Sequence, residues 1–319
     1  MSEREAKTTV VVVTWRGRDL VGGCLDALAA QTVPHRVLVV DNASTDGTAA
    51  VLAARGAITL RLRRNAGYAG ALAAALPMVG TPYLAWLNDD AVPEPGWLAA
   101  LESTLDGRPE LAAAGSVLYG GGPVQPAGIR SAGVRLTPLG YGADLLDPDP
   151  GAVFGFCGGA ALLRTDLLRA AGGVPAGFFC YYEDTDVSWR LRLAGHDIAI
   201  VPAARARHGH GASSGHGSRR FHRWNERNRL LMLLRCAPGR IAARELARFA
   251  AVTAILPVRR RAGPGVPANF RVPLRLAVLA EVVARLPAAL VARVRIGRRC
   301  TVPRRQVWQR WARDPDAAS

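Results

Sequence analysis

The stretch of sequence that decides the fold is residues 37–48, VLVVDNASTDGT. Its first four residues are apolar, too few for a helix, and such a run is typical of a buried strand in a parallel sheet. At Asp41 the run gives way to Asn, Ser, Thr, Asp and Gly, residues that favour a turn and can cap a helix. The apolar spacing after them predicts a helix over residues 48–54.

The same alternation of strand and helix extends in both directions along the chain. The predicted strands are 10–13, 37–40, 58–62 and 83–87, and the helices that follow them start near residues 19, 48, 69 and 97. This order predicts an α/β fold with a doubly wound, mostly parallel sheet flanked by helices.

The later part of the chain follows other patterns. Residues 120–150 are rich in Gly and Pro and predict irregular structure over the sheet, a lid or a hairpin excursion. A short strand over 157–163 and a helix over 184–194 come next. Beyond about residue 215 the strand pattern disappears. We therefore predict an α/β domain over residues 1–215 and a basic helical region over 216–319.

Composition places the chain among globular proteins. Half of its 319 residues are hydrophobic, and its five cysteines are scattered without a CxxC pair. That usage favours reduced thiols in a cytoplasmic protein over a disulfide framework or a structural zinc site. No apolar stretch near the N-terminus is long enough for a secretory signal.

Charge is distributed unevenly. Residues 1–200 carry 16 Lys and Arg against 20 Asp and Glu, a net charge of −4, whereas residues 201–319 carry 25 against 5, a net charge of +20. An asymmetry of this size predicts two regions with different tasks.

Polar clusters follow three successive predicted strands, at residues 41–48, 65–70 and 88–90. Each cluster alone is equally well explained as a turn. In an open parallel sheet, however, ligands bind beyond the carboxyl ends of the strands. Three clusters at such ends favour a binding site.

Five motifs also carry a resemblance to a known family. They are residues 39–48 (VVDNASTDGT), 64–70 (RNAGYAG), 87–91 (LNDDA), 182–187 (YEDTDV), and His208 before a Gly/Ser-rich stretch. Their order and spacing resemble glycosyltransferase family 2, and within it the bacterial rhamnosyltransferase-like branch, over about residues 8–235. The resemblance implies a GT-A fold, a nucleotide-sugar donor, an inverting mechanism and a divalent metal.

The resemblance implies roles for the nucleotide-binding residues. Asp41 resembles the family carboxylate that contacts the base, and a carboxylate can accept a hydrogen bond from the imide N–H of uracil or thymine. Thr14 would help to enclose that base, and Asn65 lies where the family contacts the nucleotide. Arg227 and Arg229 resemble residues that help to hold phosphate.

Residues 88–90 occupy the position of the family's DxD motif, with Asn in place of the first Asp. We expect Asp90 to be the metal ligand and Asp89 to lie near the ribose or the metal. The resemblance also favours His208 as a ligand of the metal or the diphosphate. Mg²⁺ or Mn²⁺ suits such a donor set and would neutralise charge on the departing nucleoside diphosphate.

Asp184 matches the family's catalytic base, which takes the proton of the acceptor hydroxyl. The N-terminus of the predicted helix favours its ionised form. The competing interpretation treats Glu183, Asp184 and Asp186 as ordinary charges of a first helical turn. The aromatic residues just before them, which could form a sugar-binding wall, favour the catalytic interpretation.

The basic C-terminal region contains two segments, 241–258 and 272–294, that mix Leu, Ala and Val with Arg. Neither has 18 uncharged apolar residues, so a membrane span is not expected. Amphipathic helices on an anionic membrane surface fit better. A helical bundle packed on the α/β domain is the open alternative, and the absence of a recognisable module disfavours nucleic acid.

The sequence thus predicts an inverting glycosyltransferase. It would move a sugar, with L-rhamnose as first candidate, from a dTDP- or UDP-sugar to a hydroxyl of a cell-envelope glycan or lipid-linked acceptor. It would act in the cytoplasm, peripherally at the inner face of the cell membrane. The alternatives are a sugar-nucleotide-forming nucleotidyltransferase, a glycosyltransferase-like enzyme with a small-molecule acceptor, and a binding protein with a degraded site.

Overall fold

The computed structural model of the protein describes residues 6–122, 125–147, 153–209, 217–258 and 267–312. The strands are β1 (Thr8–Thr14), β2 (His35–Asp41), β3 (Thr59–Arg61), β4 (Tyr83–Asn88), β5 (Ala91–Pro93), β6 (Leu111–Gly122), β7 (Gln125–Ser131), β8 (Val134–Leu136), β9 (Gly142–Asp144), β10 (Ala160–Arg164) and β11 (Asp197–His208). The helices are α1 (Val21–Ala29), α2 (Thr48–Ala54), α3 (Gly67–Ala75), α4 (Trp97–Gly107), α5 (Thr165–Ala170), α6 (Glu183–Leu193), α7 (Arg219–Cys236), α8 (Gly239–Ile255), α9 (Val272–Gly297) and α10 (Arg304–Trp311).

Nine of the described strands form one mixed sheet in the order β3-β2-β1-β4-β10-β6-β11-β5, with β7 paired to β6. Strands β3, β2, β1 and β4 are parallel to one another, as are β6 and β11. Strand β10 is inserted antiparallel between β4 and β6. Most strands therefore share one direction, which confirms the predicted α/β architecture.

The sheet is covered on both faces. Alternate side chains of β1 belong to two different cores: Val10 and Val12 pack with residues of α1, α2 and α4, whereas Val11 and Val13 pack with residues of α3, α6 and α7. A strand buried on both faces needs an unbroken apolar run, and this is why Val10 to Val13 carries no polar residue.

Residues 120–150 are more regular than predicted. Their described parts include β7, which pairs with β6, and the β8–β9 hairpin. The hairpin alternative was therefore correct and irregular structure was wrong. Antiparallel pairing between strands satisfies the backbone groups here, and the Gly-rich sequence hides it because it lacks regular apolar alternation.

The C-terminal helices pack against one face of the sheet. Met232 of α7, Phe249 of α8, Val278 of α9 and Val307 of α10 belong to the same buried cluster as Val11 of β1. Among the described residues, no helix is long and apolar enough to cross a membrane. The packed helical bundle is thus present, and a domain division at residue 215 stays a prediction.

Candidate active site

The carboxyl ends of β1, β2 and β4 meet at one edge of the sheet. Thr14 is in register with Asp41, and Val13 is in register with Asn88. At this edge a cleft of about 1060 Å³ opens. Of the residues predicted for the site, those that line the cleft are Asn65, Asp89, Asp90, Asp184 and His208.

Asp41 is fully buried beside Asn42, which lines the cleft. One carboxylate oxygen, Oδ1, accepts a hydrogen bond of 2.9 Å from the Ser44 N–H. The other, Oδ2, lies 3.4 Å from the guanidinium of Arg61 and has no hydrogen-bond partner among the described residues. A buried carboxylate oxygen in this state can accept a further hydrogen bond.

Asn42, which sequence reasoning missed, joins the first two motifs. Its Oδ1 accepts from the Ala66 N–H at 2.8 Å, and its Nδ2 donates to the Gly67 carbonyl at 3.1 Å. Asn65 in turn accepts from the Gly67 N–H at 2.8 Å. These bonds fix the start of α3 against the end of β2. The sequence signal that could have identified Asn42 is its position directly after Asp41 in the motif at residues 39–48.

Thr14 acts on the cleft through Asp89. Its hydroxyl donates to Asp89 Oδ2 at 2.6 Å. Burial raises the pKa of Asp89 to about 6, and the nearby Asp90 adds to the rise while the Thr14 hydrogen bond opposes it. Gly17 passes so close that a Cβ there would lie 2.3 Å from both Thr14 Oγ1 and Asp89 Oδ2. Only glycine allows the loop after β1 to reach this position.

Asn88, Asp90 and His208 form a polar group in the cleft. The ring Nε2 of His208 lies 2.9 Å from Asn88 Nδ2 and 3.1 Å from Asp90 Oδ1. His208 is the last residue of β11 and pairs with Ala91 of β5, which places it beside the residues after β4. Residues more than a hundred positions apart in sequence therefore meet here.

The donor set of this group fits a hard divalent ion only in part. Among the described residues, no three His, Cys, Asp or Glu side chains form a group that could hold a metal ion. Asp90 and His208 offer one carboxylate and one imidazole. Mg²⁺ and Mn²⁺ commonly take one or two protein ligands and complete their shell with water and phosphate oxygens. The residues present therefore suit an ion that arrives with a diphosphate.

Asp184 is held firmly in the cleft. Its Oδ2 accepts from the Gly158 N–H at 2.9 Å, and its Oδ1 accepts from the Thr185 N–H at 2.6 Å and the Thr185 hydroxyl at 3.0 Å. Burial raises the pKa of Asp184, and these hydrogen bonds oppose the rise. The Tyr68 hydroxyl donates to the Gly158 carbonyl at 2.6 Å, so Gly158 connects α3 to the carboxylate.

Glu183 is a second carboxyl group in the same wall. It is 6% exposed, and its Oε2 has no hydrogen-bond partner among the described residues. Burial raises its pKa to about 8, with the charge of Asp184 adding to the rise. The raised pKa favours the neutral form of Glu183, while the hydrogen bonds to Asp184 favour the charged form of that group.

The aromatic segment before Glu183 has an unusual backbone. Phe179, Tyr181 and Tyr182 adopt φ angles of 67°, 72° and 68°, a region that bulky residues rarely occupy. The buried amide of Asn228 lies within 2.8–2.9 Å of the carbonyls of residues 178, 180 and 181. Asn228 thus stabilises the strained segment that leads to Asp184, and no local sequence pattern indicated this role.

The structure separates Arg227 and Arg229 from the group that lines the cleft. Arg229 is fully buried, pairs with Glu226 and Glu245, and donates to the Leu139 carbonyl at 2.8 Å. It is occupied inside the protein and cannot reach a phosphate in the cleft. Arg227 lines a second, adjacent cavity. Two arginines not assigned from the sequence, Arg219 and Arg220, line the cleft instead.

Solved structures of other proteins share this fold. A mannosyltransferase from Pyrobaculum calidifontis in complex with GDP-Man and Mn²⁺ aligns with a TM-score of 0.53 and 20% identity, over 90% of this chain and 75% of that one. TarS 1–349 from S. aureus in complex with UDP-GlcNAc aligns with a TM-score of 0.55 and 17% identity, over 95% of this chain and 90% of that one. The fold is that of GT-A glycosyltransferases.

The sequence profile of the family described as Glycosyl transferase family 2 matches residues 9–172, just over half of the chain. The protein belongs to glycosyltransferase family 2 and transfers a sugar from a nucleotide-sugar donor. It is also 29% identical, over 238 residues, to the N-acetylglucosaminyl-diphospho-decaprenol L-rhamnosyltransferase of Mycobacterium tuberculosis, a match that covers 65% of this chain and 77% of that protein.

Proposed function

We propose that the protein is an inverting glycosyltransferase that moves a sugar from a UDP- or dTDP-sugar to a hydroxyl of a lipid-linked glycan of the cell envelope. The observation that carries this proposal is that Asp89, Asp90, His208 and Asp184 line the same cleft. L-Rhamnose is the first candidate sugar, supported by the similarity to the mycobacterial rhamnosyltransferase.

The base of the donor lies, in this proposal, at the ends of β1 and β2. The Oδ2 of Asp41, which has no hydrogen-bond partner among the described residues, accepts the imide N–H of uracil or thymine, a donor that cytosine lacks. Asn65 lines the cleft beside this position and contacts the nucleotide. Asp89, held by Thr14, lies near the ribose.

The diphosphate of the donor lies between Asp90 and His208 on one side and Arg219 and Arg220 on the other. Asp90 and His208 would hold Mg²⁺ or Mn²⁺, which supplies positive charge to the leaving nucleoside diphosphate. Guanidinium groups pair well with phosphate oxygens. Arg219 and Arg220 take the role that the sequence analysis assigned to Arg227 and Arg229.

Asp184 acts as the general base. It removes the proton of the acceptor hydroxyl while that oxygen forms a bond to the anomeric carbon of the donor sugar. The bond from this carbon to the diphosphate oxygen breaks on the opposite face, and the nucleoside diphosphate leaves with its electron pair. The configuration of the anomeric carbon is inverted. The hydrogen bonds from Gly158 and Thr185 aim the carboxylate into the cleft.

The donor assignment is tested by thermal unfolding with Mn²⁺ and each of UDP, dTDP, GDP and CDP. We expect UDP and dTDP to raise the Tm, and Asp41→Asn to reduce that protection. Equal protection by GDP or CDP would contradict the role of Asp41. The nucleotidyltransferase alternative predicts a different result. The protein would release pyrophosphate from a nucleoside triphosphate and a sugar 1-phosphate, and it would not turn over labelled UDP- or dTDP-sugars.

The outer face of α9 supports a location at the membrane surface. Five of its large apolar side chains are exposed, namely Leu276, Val283, Leu290, Val291 and Val294, which are 46–66% exposed. Its opposite face is packed on α7.

Arginines flank this apolar face. Arg271 precedes α9, and Arg295, Arg298 and Arg299 lie at or just beyond its end, all of them exposed. An apolar stripe between cationic ends is complementary to an anionic lipid surface. We therefore propose that α9 attaches the enzyme peripherally to the inner face of the cell membrane.

A further inference from the structure

A second cavity, of about 630 Å³, lies beside the cleft. We call it the arginine pocket, because Arg64, Arg227 and Arg285 line it together with Phe179 and Trp224. No Asp or Glu occurs among the described residues that line it. Its walls come from the start of α3, the aromatic segment before α6, and helices α7 and α9.

The arginine pocket has more positive charge than its neighbours neutralise. A single carboxylate, Glu281, is shared by Arg223, Arg227 and Arg285. Arg64 is exposed and makes no hydrogen bond or ion pair with any described residue. Because three arginines share one carboxylate and Arg64 lies beside them, the site has a net positive charge. Such a site favours an anion.

One of these cations is built into the protein. The Arg227 side chain is only 5% exposed and donates to the Phe178 carbonyl at 2.6 Å and to Glu281 at 2.8 Å. Burial lowers the pKa of Arg227. A buried, fixed guanidinium at the wall of a cavity differs from the mobile arginines of an ordinary surface.

The arginine pocket and the cleft share a wall. Asn65, Phe179 and Trp224 line both cavities, and the rings of Phe179 and Trp224 are 4.7 Å apart. On its other side the pocket reaches α9, the helix that carries the proposed membrane-binding face, through Arg285. The pocket therefore adjoins both the cleft and this helix.

We infer that the arginine pocket binds the diphosphate of the acceptor, whose sugar reaches Asp184 in the cleft and whose hydrocarbon chain lies along the outer face of α9. Guanidinium groups of Arg64 and Arg285 hold the phosphate oxygens, and Arg227 supplies fixed positive charge behind them. The inference rests on the proposed function, since it names the kind of acceptor that the transferase uses: a sugar linked to a lipid through diphosphate.

The test compares binding of two probes, geranyl diphosphate and inorganic pyrophosphate, by isothermal titration calorimetry in EDTA, so that neither binds through a metal ion. The proteins are the full-length wild type, the double variant Arg64→Gln/Arg285→Gln, and the control Arg63→Gln. Arg63 is exposed and adjacent in sequence but does not line the arginine pocket.

We expect wild type and Arg63→Gln to bind geranyl diphosphate equally, and the double variant to bind it about ten-fold or more weakly, because two charge-assisted contacts are lost. Undiminished binding by the double variant, or an equal loss in Arg63→Gln, would overturn the site. We also expect geranyl diphosphate to bind at least about ten-fold more tightly than pyrophosphate, because its hydrocarbon chain adds contacts. Equal affinities would mean a site for free anions and would overturn the lipid-linked assignment.

The protection of the same proteins by UDP and Mn²⁺ separates this inference from the proposed function. The double variant should keep wild-type protection, because Arg64 and Arg285 do not line the cleft. If wild type binds geranyl diphosphate through the two arginines but is not protected by UDP or dTDP, the donor assignment fails and the arginine pocket stands. If UDP protects wild type but geranyl diphosphate does not bind, the arginine pocket fails as the acceptor site and the donor assignment stands.

Discussion

The α/β half of the chain and its C-terminal helices use charged residues in opposite ways. Around the cleft, Asp90 follows the end of β4 and Asp184 lies in the first turn of α6. Both residues line the cavity. In the helices, Arg229, Arg275 and Arg293 are directed inward and donate to carbonyl oxygens of the protein. Part of the +20 charge of residues 201–319 is therefore internal structure. Net charge of a region overstates the charge available to a partner.

The largest effect is expected at the base. Asp184→Asn keeps the size of the side chain but removes its basicity, so sugar transfer should fall by roughly 10²–10⁴-fold while UDP still raises the Tm. The matched control is Asp166→Asn, an exposed acid in the first turn of α5. If both variants turn over the labelled donor like wild type, Asp184 is only a helix-terminal charge.

A buried arginine and an exposed one should differ sharply in stability. Arg229→Gln removes a buried guanidinium that pairs with Glu226 and the buried Glu245, and we expect a loss of about 3–5 kcal/mol in the free energy of unfolding. Arg223→Gln removes a half-exposed ion pair with Glu281 and should cost under about 1 kcal/mol. Urea denaturation measures both. Equal losses would mean that burial does not distinguish the two arginines.

Glu183 predicts a pH dependence. Its ordinary pKa of 4.5 is raised to about 8 in the fold, so between these values the unfolded chain has released a proton that the native protein keeps. Glu183 therefore lowers stability progressively as pH rises from about 4.5 to about 8.

Glu183→Gln removes this titration. The Tm of the variant should approach that of wild type at pH 4.5 and exceed it increasingly toward pH 8.5. At pH 8.5 the free energy of unfolding of the variant should be higher by on the order of a few kcal/mol. Calorimetric scans at several pH values measure the difference. A Tm difference that stays constant with pH would show that Glu183 titrates normally.

The metal contribution should be smaller. Asp90→Ala should weaken UDP binding in Mn²⁺ by on the order of ten-fold, and EDTA should bring wild type to the level of the variant. Calorimetric titration with UDP measures both. Full activity of wild type in EDTA would instead indicate that Arg219 and Arg220 neutralise the leaving group.

The smallest effect is expected at the membrane surface. Full-length protein should sediment with phosphatidylserine vesicles at low salt and be released in part at high salt, because charge attraction is screened over about 8–10 Å at physiological salt while apolar contacts persist. Val283→Glu on α9 should lower the bound fraction a few-fold, and Ile58→Glu, an equally exposed site before β3, should not. If wild type does not sediment with the vesicles at low salt, the membrane-binding role of α9 is contradicted and its role is to pack on the α/β domain.

Local features of the fold were predictable from the sequence. The helix Thr48–Ala54 was predicted at its observed bounds, because Asp46 and the turn residues before it define its start. Asp46 indeed accepts hydrogen bonds from both the N–H and the hydroxyl of Thr48. The convergence of three polar strand ends also followed from the sequence, because parallel neighbours end at the same edge.

Non-local contacts were not predictable. The pairing of β7 with β6 depends on a partner strand that apolar spacing does not identify. The roles of Arg229 and Asn228 were missed for the same reason. One is enclosed by Glu226 and Glu245 and the other by the carbonyls of the aromatic segment, and neither environment is encoded by nearby residues. Charge shows what a side chain can bind but not whether it faces solvent.

The antiparallel insertion of β10 beside β4 has a mechanical consequence. The Asn88 N–H donates to the Gly159 carbonyl at 3.1 Å, and the Gly158 N–H donates to Asp184, so the last residue of β4 connects to the proposed base through two hydrogen bonds and one peptide unit. A movement of this strand end during nucleotide release would therefore also displace Asp184.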